Sequence, residues 1–428
     1  MSARSDALSV WLAGQPIGRL SRGASRRLSF SYEPDWWQSA DAYPLSLSLP
    51  LTAAEHGGRT LSAFLWGLLP ESPLVLDRWA RRFGVSASDP FALLAEVGED
   101  CPGAVQFVRT EREALLERAH SSHVDWLSAA QLAERLRQLR ADHAAWRSPT
   151  DTGQFSLAGA QPKTALLWDG QRFGIPSGRV PTTHILKPPL PELDGHAENE
   201  HLCLALARAL GLPSAHSAVQ HFGDEVAIVV ERYDRVRAGK RLLRVHQEDM
   251  CQALGLLPSS KYQSEGGPSP EQLVELLRTH SSRPEEDVQT FLDALLFNWL
   301  IGGTDAHAKN YSLLIGAAGQ VRLAPLYDVA SAFVYPQLDP NKLKLAMKVG
   351  GSYRIREIER RHWQQLARDV HAGPTRLVER ALALAEAIPE AFARLRDEAR
   401  RQGLTHSVID RLAVQLEAQA RRCKSRLQ

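Results

Sequence analysis

The sequence predicts an α+β fold in which a β-rich N-terminal part precedes a larger helical part. Short apolar runs, several alternating with polar residues, dominate the chain up to about residue 235 and are typical of strands. Longer segments with helical periodicity dominate the remainder. With 428 residues, of which 44% are hydrophobic and 23% charged, the chain has enough apolar material for more than one domain or lobe.

Residues 1–110 are predicted to form a first unit of strands and short helices. The segment Leu45–Leu51 places a leucine at every second position, which is the pattern of a half-buried strand. No catalytic constellation stands out here, so a structural or partner-binding role is expected. The predicted strands are Leu8–Leu12, Leu28–Tyr32, Leu45–Leu51 and Ala104–Val108, and the predicted helices are Leu61–Leu69, Pro73–Phe83 and Pro90–Val97.

A helical connector, residues 111–154, follows the first unit. It contains the charged amphipathic helix Ser128–Trp146 and ends in the polar, Pro- and Gly-containing segment Arg147–Gln154, which we expect to be a domain boundary. Residues 155–235 are predicted to form a small β-rich lobe with one helix, Glu198–Leu210. Its predicted strands are Phe155–Gly159, Lys163–Trp168, Arg172–Ile175, Thr182–Lys187, Val219–His221 and Glu225–Glu231.

Residues 236–428 are predicted to form a larger, all-α lobe that only one strand, Tyr311–Ile315, interrupts. The predicted helices are Glu248–Leu254, Glu271–His280, Glu285–Ile301, Glu357–His371, Pro374–Ala387, Glu390–Arg401 and Val408–Cys423.

Composition limits the partners and the compartment. The formal net charge is only +2, so the chain as a whole does not attract nucleic acid or anionic lipid, and any DNA contact would need a local basic patch. Tyr353–Arg361 and Arg421–Arg426 are locally basic, but the acidic residues within the first favour a solvated helix face. The four cysteines are scattered, and neither a signal peptide nor a long apolar run is evident. We expect a cytoplasmic protein without a membrane partner.

Small residues follow Ser156 in a loop that links two predicted strands and ends at Lys163. Small side chains allow backbone N–H groups to approach an anion closely. The loop is not a Walker A motif, because Leu157 and Pro162 stand where that motif requires glycine. Taken alone, it is more typical of an ordinary hairpin turn.

Three further features that could contribute to a nucleotide site follow along the chain: a lysine, a glutamate and the segment after a strand. Lys187 ends an apolar strand and could reach phosphate oxygens, although a snorkelling edge lysine is the alternative. Glu200, thirteen residues later, could pair with Lys187, with Glu198 as the competing choice and a solvated helix face as the alternative to both. The strand ending at Glu231 leads into a connector, Arg232-Tyr233, whose backbone could bind an adenine or could be a plain strand exit.

The densest polar segment, Thr304–Asn310, lies between two apolar runs. Asp305 and Asn310 have the spacing of the protein-kinase catalytic loop, in which Asp accepts a hydroxyl proton and Asn holds a magnesium ion. Asp328 follows where a second metal-binding carboxylate is needed, and Mg²⁺ prefers such oxygen ligands. His307 and Lys309 could steady phosphates. Turn and capping chemistry is the alternative for the acidic and amide residues.

The order of these features (small-residue loop, Lys, Glu, hinge, Asp-x4-Asn, Asp) favours a phosphotransferase with a protein-kinase-like two-lobed fold. We interpret Asp305, Lys187 and Asn310 as catalytic, and Asn310 and Asp328 as ligands of Mg²⁺. The chain is not a standard eukaryotic-type protein kinase. It lacks the glycine-rich motif, has Gly303-Thr304 in place of His-Arg, and has Val329-Ala330 after Asp328.

The chain resembles the HipA family of bacterial serine/threonine kinases, which act as toxins of toxin–antitoxin modules. The matching motifs occur in register over nearly the whole chain. They are Phe64–Glu71, Gly98–Ala104, Ser156–Thr164, His184–Lys187, Val230–Arg235, Gln247–Gln252, Lys261-Tyr262 with Gly266–Pro268, Thr304–Asn310 and Leu326–Asp328.

The resemblance implies that Asp305 is the proton acceptor and that Ser156 is autophosphorylated. A phosphoserine carries roughly −1.5 to −2 charges and would compete for the backbone amides that bind ATP phosphates, so we expect autoinhibition. Pro162 and Ala306 depart from the family pattern, but neither departure removes a charged or metal-binding group. The residues implied to hold ATP are Ala158, Gly159, Ala160, Gln161, Pro162, Lys163, Lys187, Glu231, Arg232, Tyr233, His307, Ala308, Lys309, Asn310, Tyr327 and Asp328.

The resemblance also implies partners. They are a HipB-like helix-turn-helix antitoxin, operator DNA bound through that antitoxin (with nucleoid association and autorepression), and a protein substrate, for which the family offers an aminoacyl-tRNA synthetase. Two alternatives stay open at this point: a small-molecule or lipid kinase on the same scaffold, and a catalytically silent co-repressor.

Overall fold

The computed structural model describes residues 6–114, 123–146, 155–178, 180–239 and 241–428. The predicted boundary segment, residues 147–154, lies outside these ranges. In the described part of the chain, no helix is long and apolar enough to cross a membrane.

The first unit is built on a five-stranded antiparallel sheet. Its inward-facing side chains, among them Val10, Ile17 and Phe30, are fully buried against helices from the same unit. In spatial order the strands are Glu55–Gly57, Leu28–Tyr32, Gln15–Arg22, Ala7–Leu12 and Val105–Arg109. The helices are Pro34–Trp37, Gly58–Gly67, Pro73–Phe83 and Pro90–Val97.

A six-stranded sheet forms the small lobe. One face packs against the helix Ala129–Ala141 through Leu132 and Leu136, and the strand Glu225–Glu231 also contacts the helix His196–Ala209. In spatial order the strands are Ser217–Phe222, Glu225–Glu231, His184–Lys187, Thr164–Trp168, Phe173–Pro176 and Val124–Trp126.

The large lobe surrounds the helix Pro284–Ile301, which is buried almost all round from Phe291 onward. The other helices are Met250–Ala253, Pro270–His280, Arg360–Asp369, Pro374–Arg401 and Val408–Leu427. Strands also occur here: the hairpins Arg235–Ala238 with Arg241–Arg244 and Lys344–Val349 with Ser352–Arg354, and the sheet His246–Asp249, Ser312–Gly316 and Gln320–Leu323.

The predicted α+β arrangement is therefore present, but the prediction of an all-α large lobe was wrong in detail. The predicted helix Glu248–Leu254 is split, because Glu248 and Asp249 end a strand paired with Ser312–Gly316 and helix begins only at Met250. The strands of this lobe that were not predicted are only three to six residues long, and some, such as His246–Asp249, are entirely polar in sequence, so they lack the run of alternating apolar residues that predicts a strand.

Two predicted strands of the earlier units were also wrong. Leu45–Leu51 forms turns, with only an isolated bridge between Ser46 and Leu49. Phe155–Gly159 is irregular, and Gly159 makes an isolated parallel bridge to Pro70. In Leu45–Leu51 the side chain of Glu248 accepts from the backbone N–H of Leu47. In Phe155–Gly159, Ser156 N donates to Asp100 O and Gly159 O accepts from Glu71 N, so scattered long-range bonds stand in place of a continuous ladder.

Candidate active site

A cleft of about 520 Å³ lies between the six-stranded sheet and the large lobe. The predicted site residues that line it are Ala158, Gly159, Ala160, Gln161, Lys163, Lys187, Glu200, Glu231, Arg232, Tyr233, Asp305, His307, Lys309, Asn310, Tyr327 and Asp328. Segments that are far apart in the sequence, from both lobes, thus converge on one concave site.

Lys187 is buried and pairs with two carboxylates, of which Glu200 is buried and Asp328 is exposed. Its Nζ atom is 2.8 Å from Glu200 Oε1 and 2.7 Å from Asp328 Oδ1. Of the two acids that could pair with this lysine, Glu200 therefore makes the contact, since the helix His196–Ala209 turns it toward the strand. Burial opposes the charge on Lys187, but Asp328 and Glu200 outweigh it and raise the pKa of the lysine.

Asp305 lies at the mouth of the cleft and is held by two neighbours. Its carboxylate accepts a hydrogen bond from the Tyr262 hydroxyl, and its backbone oxygen accepts one from Asn310 Nδ2 at 2.8 Å. Desolvation by the surrounding protein raises the pKa of Asp305, and the charge of Asp328 adds to this shift. A raised pKa favours a carboxylate that accepts protons.

The small-residue loop forms one wall of the cleft. Gly159 has φ of +101°, and a Cβ there would lie 2.6 Å from Lys163 Nζ, so only glycine fits without displacement. Lys163 donates to Ala158 O at 2.8 Å, and burial lowers its pKa to about 8, with Lys187 adding to the shift. The Nε2 atom of Gln161 is buried without a partner in the described structure.

Three predicted residues do not line the cleft. Pro162 is buried behind the loop, and Ala308 is fully buried beneath the Asp305 loop. Ser156 is likewise fully buried, and its hydroxyl donates to Leu68 O at 2.6 Å.

The hinge segment lines the cleft, but the side chain of Arg232 points away from it. Arg232 forms ion pairs with Asp234, at 2.8 Å, and with Asp100. The rings of Tyr233, in the hinge segment, and Tyr327 both line the cleft, with their centroids 5.8 Å apart. Any contact of Arg232 with a nucleotide would therefore involve its backbone.

His307 and Lys309 differ in their availability. His307 is buried, and its Nδ1 has no partner among the described residues. Burial, with Lys261 nearby, lowers its pKa to about 4, so the ring is neutral at pH 7. Lys309 is already paired with Asp249 and lies 3.9 Å from Glu71. Nucleotide phosphates would therefore compete with the Asp249 carboxylate for Lys309.

Several residues that line the cleft were not singled out as site residues: Glu71, His196, Asp249, Lys261 and Tyr262. Glu71, Asp249 and the Lys261-Tyr262 pair lie in segments that carry the family resemblance, which was the only signal available for them. The spacing along the chain gives no indication that Glu71 meets Lys261.

A lysine–glutamate pair and a loop of small residues that share an interlobe cleft with an Asp-x4-Asn loop are typical of a protein-kinase-like phosphotransferase. Comparisons with known proteins identify the family. Residues 8–108 match the model of the HipA N-terminal domain, and residues 155–394 match the HipA-like C-terminal domain. The chain belongs to the HipA family and is a serine/threonine kinase of that family.

Individual relatives are similar to this chain over about nine-tenths of their lengths. The chain is 36% identical to the Y4mE protein of Sinorhizobium fredii over 91% of this chain and 92% of that one. It is 31% identical to the serine/threonine-protein kinase toxin HipA of Shewanella oneidensis, over 92% and 90%. The solved complex of HipA, HipB and operator DNA from Shewanella oneidensis matches with a TM-score of 0.84, at 29% identity and 98% coverage of both chains. The predicted kinase-like fold is confirmed.

Proposed function

We propose that this kinase transfers the γ-phosphoryl group of ATP to a serine or threonine hydroxyl of a protein, with Asp305 as the proton acceptor. The observation that carries the proposal is the convergence of Lys187, Asp305, Asn310 and Asp328 on one cleft. Asp305 is positioned for the role because Tyr262 and Asn310 fix its carboxylate and its backbone. Lys187 would contact phosphate oxygens while Glu200 holds it in place.

The donor set of the cleft fits a magnesium ion. The described residues contain no cluster of three or more His, Cys, Asp or Glu side chains that could form a complete metal cage. Mg²⁺ in kinases instead uses one or two protein oxygen ligands together with nucleotide phosphates. Asn310 and Asp328 would supply those oxygens, and the bound ion would neutralise charge on the phosphates.

Unpartnered polar atoms in the cleft also support a polar ligand. Gln161 Nε2 and His307 Nδ1 are both buried without partners in the described structure, and both residues line the cleft. A buried donor without a partner is costly, so a ligand that accepts from it gains binding energy. We assign the phosphate wall to Ala158, Gly159, Ala160, Gln161 and Lys163, and the adenine wall to Glu231, Tyr233 and Tyr327.

We further propose that Ser156 is an autophosphorylation site and that its modification inhibits the enzyme. Ser156 is the first residue of the small-residue loop and is fully buried. The loop must therefore move away from the cleft wall before the Ser156 hydroxyl can react. A phosphate on Ser156 could not return to this site, because the site offers Leu68 O, an acceptor, to an anion. The phosphorylated loop would therefore stay displaced from the ATP site.

The relatives support a biological role. Because the similar protein of Shewanella oneidensis is a kinase toxin and was solved with HipB and operator DNA, we propose a growth-inhibiting toxin that a helix-turn-helix antitoxin neutralises on DNA. An aminoacyl-tRNA synthetase is the substrate class that the family suggests.

The test is Asp305→Asn, which removes the proton acceptor but keeps the side-chain size. With γ-labelled ATP and Mg²⁺, we expect the wild type to label protein and the variant to lose about a hundredfold or more in rate. Nucleotide binding should persist in the variant. Asp224→Asn, at an exposed turn outside the cleft, is the matched control and should retain full activity.

Expression in cells extends the same test. The wild type should arrest growth and yield a phosphopeptide containing Ser156, whereas Asp305→Asn should do neither. Comparison of the two phosphoproteomes also names the substrate. Equal labelling by wild type and Asp305→Asn would overturn the assignment of Asp305, and nucleotide binding without any transfer by the wild type would favour a silent co-repressor.

A further inference from the structure

One segment of the first unit, Leu68–Glu71, reaches into the catalytic cleft. It touches the small-residue loop at two points: Ser156 Oγ donates to Leu68 O at 2.6 Å, and Glu71 N donates to Gly159 O at 3.0 Å. The segment belongs to the Phe64–Glu71 motif, for which the kinase chemistry described above has no role. It is therefore the first unit, and not the small lobe itself, that supports the outer side of this loop.

The carboxylate of Glu71, the last residue of this segment, lies close to two lysines. Its Oε2 atom is 2.6 Å from Lys261 Nζ, and its Oε1 atom is 3.9 Å from Lys309 Nζ. Lys309 is also paired with Asp249, so two cations and two anions form one largely buried cluster. Burial opposes ionisation of Glu71, but Lys309 and Lys261 together lower its pKa, which keeps it charged.

Both lysines are direct sequence neighbours of groups that hold Asp305. Lys261 precedes Tyr262, whose hydroxyl donates to the Asp305 carboxylate. Lys309 precedes Asn310, whose amide donates to the Asp305 backbone oxygen at 2.8 Å. A displacement of either lysine therefore moves a support of Asp305.

We propose that Glu71 is a positioning residue for phosphoryl transfer, through which the first unit holds the small-residue loop and the two groups that support Asp305, Tyr262 and Asn310. The proposal rests on the function proposed above. It makes the first unit a part of the catalytic apparatus, in addition to any role in partner binding.

The expected effect is on the chemical step. Phosphoryl transfer depends on alignment, and a misplacement of about 1 Å can cost about a hundredfold in rate. Glu71 contacts Lys261 and Lys309 and is not among the residues that we assign to the adenine wall. We therefore expect Glu71→Gln to lower kcat about tenfold or more, while KM for ATP changes far less.

The experiment is a double-mutant cycle on kcat, with full-length Glu71→Gln, Lys261→Met and the double variant. If Glu71 acts through Lys261, the second substitution should cost less in the background of the first than in the wild type. Full independence of the two fold-changes would overturn the proposal, as would a kcat for Glu71→Gln equal to that of the wild type.

Glu96→Gln is the matched control. Glu96 lies in the same unit and forms a half-buried ion pair with Arg109, but it does not line the cleft. We expect wild-type kcat and KM for this variant. Thermal unfolding of all variants shows whether a loss of kcat reflects loss of fold: a loss in Glu71→Gln that tracks a fall in Tm and also appears in Glu96→Gln would contradict positioning.

The two proposals fail in different ways. If the wild type transfers no phosphate to protein, the proposed function fails before the cycle can begin. If the wild type is active and Asp305→Asn is not, but Glu71→Gln retains the wild-type kcat, only the role of Glu71 is wrong.

Discussion

Gly303 illustrates how single residues place the catalytic loop. The preceding Gly302 ends the buried helix Pro284–Ile301 in a left-handed conformation, with φ of +72°. Gly303 then packs directly against that helix: its N–H donates to Asn298 O at 2.7 Å, and a Cβ would lie 2.1 Å from Asn298 Oδ1. The chain can therefore turn at once from the helix into the segment that carries Asp305.

Gly303→Ala tests this close packing. The added methyl group should displace Asn298 or the loop, at a cost of about 1–3 kcal/mol in the free energy of unfolding. Because Asp305 is two residues away, kcat should also fall, by about tenfold or more. Chemical denaturation and steady-state kinetics measure the two effects.

Gly373→Ala provides the comparison for this substitution. Gly373 has φ of −74°, and a Cβ there would lie 3.5 Å from its nearest neighbour, the Arg376 side chain. It should behave as the wild type. The same stability and kcat in both alanine variants would show that the contact with Asn298 does not place the loop.

At the scale of elements, the tail helix Pro374–Arg401 shows where local signals mislead. Pro389 predicts a break, and two helices were expected around it. The structure has one helix through Pro389, because Ala385, Ile388 and Phe392 are all buried on the face that contacts the rest of the lobe. Tertiary burial outweighs the lost hydrogen bond of a single proline.

Pro389→Ala should therefore stabilise the protein, by about 1–3 kcal/mol. Alanine restores the N–H that proline lacks and removes the ring from the helix interior, while the freer unfolded chain offsets part of the gain. Denaturation monitored by far-UV circular dichroism measures the change. A lower denaturation midpoint for Pro389→Ala than for the wild type would mean that the packing of the proline ring stabilises the folded protein.

In the segment Leu45–Leu51, tertiary contacts likewise override the local pattern, which here predicted a strand. Leu45 and Leu49 are buried, as its alternation predicts. The backbone nevertheless forms turns, since Ser46 Oγ and Leu47 N both donate to the carboxylate of Glu248, about 200 residues away in the sequence. The local sequence pattern gives no information about Glu248 as a hydrogen-bond partner.

At the scale of the whole molecule, Glu248 joins the first unit to the large lobe. It is almost fully buried, and burial, with Asp249 adding to the effect, raises its pKa to about 8 even though Leu47 and Ser46 donate to it. The main apolar core also runs across this junction, since residues of the first unit such as Phe64 belong to the same cluster as Phe297 and Phe392. The first unit and the large lobe therefore share one core.

Glu248 makes stability depend on pH. The folded protein keeps the Glu248 proton up to about pH 8, whereas the unfolded chain releases it near 4.5, so the unfolded state binds fewer protons in between. The contribution of this residue to stability therefore falls as pH rises from 4.5 to 8 and is constant above that. Glu248→Gln does not titrate, so its stability relative to the wild type should increase over this window, by on the order of a few kcal/mol.

Denaturant titrations of both proteins at a series of pH values measure this difference. A difference in free energy of unfolding that stays constant between pH 5 and 8 would show that Glu248 is ionised in the folded state.

Hydrophobic patterns and motif spacing alone predicted most helices and about half of the strands of the described residues, and they indicated the residue types of the candidate site. Each of these depends on local information: hydrophobic periodicity, caps, and the spacing of Asp305 and Asn310 within one loop. Their common order along the chain was also sufficient to indicate the family.

The packing of the folded chain sets which distant groups meet. It selected Glu200 over Glu198 as the partner of Lys187, turned Arg232 away from the cleft, and brought Glu71 to Lys261 across 190 residues of sequence. Periodicity records which face of an element is buried, but it does not record what packs against that face. Those pairings depend on how the first unit and the two lobes pack together, and the catalytic loop is held by that packing.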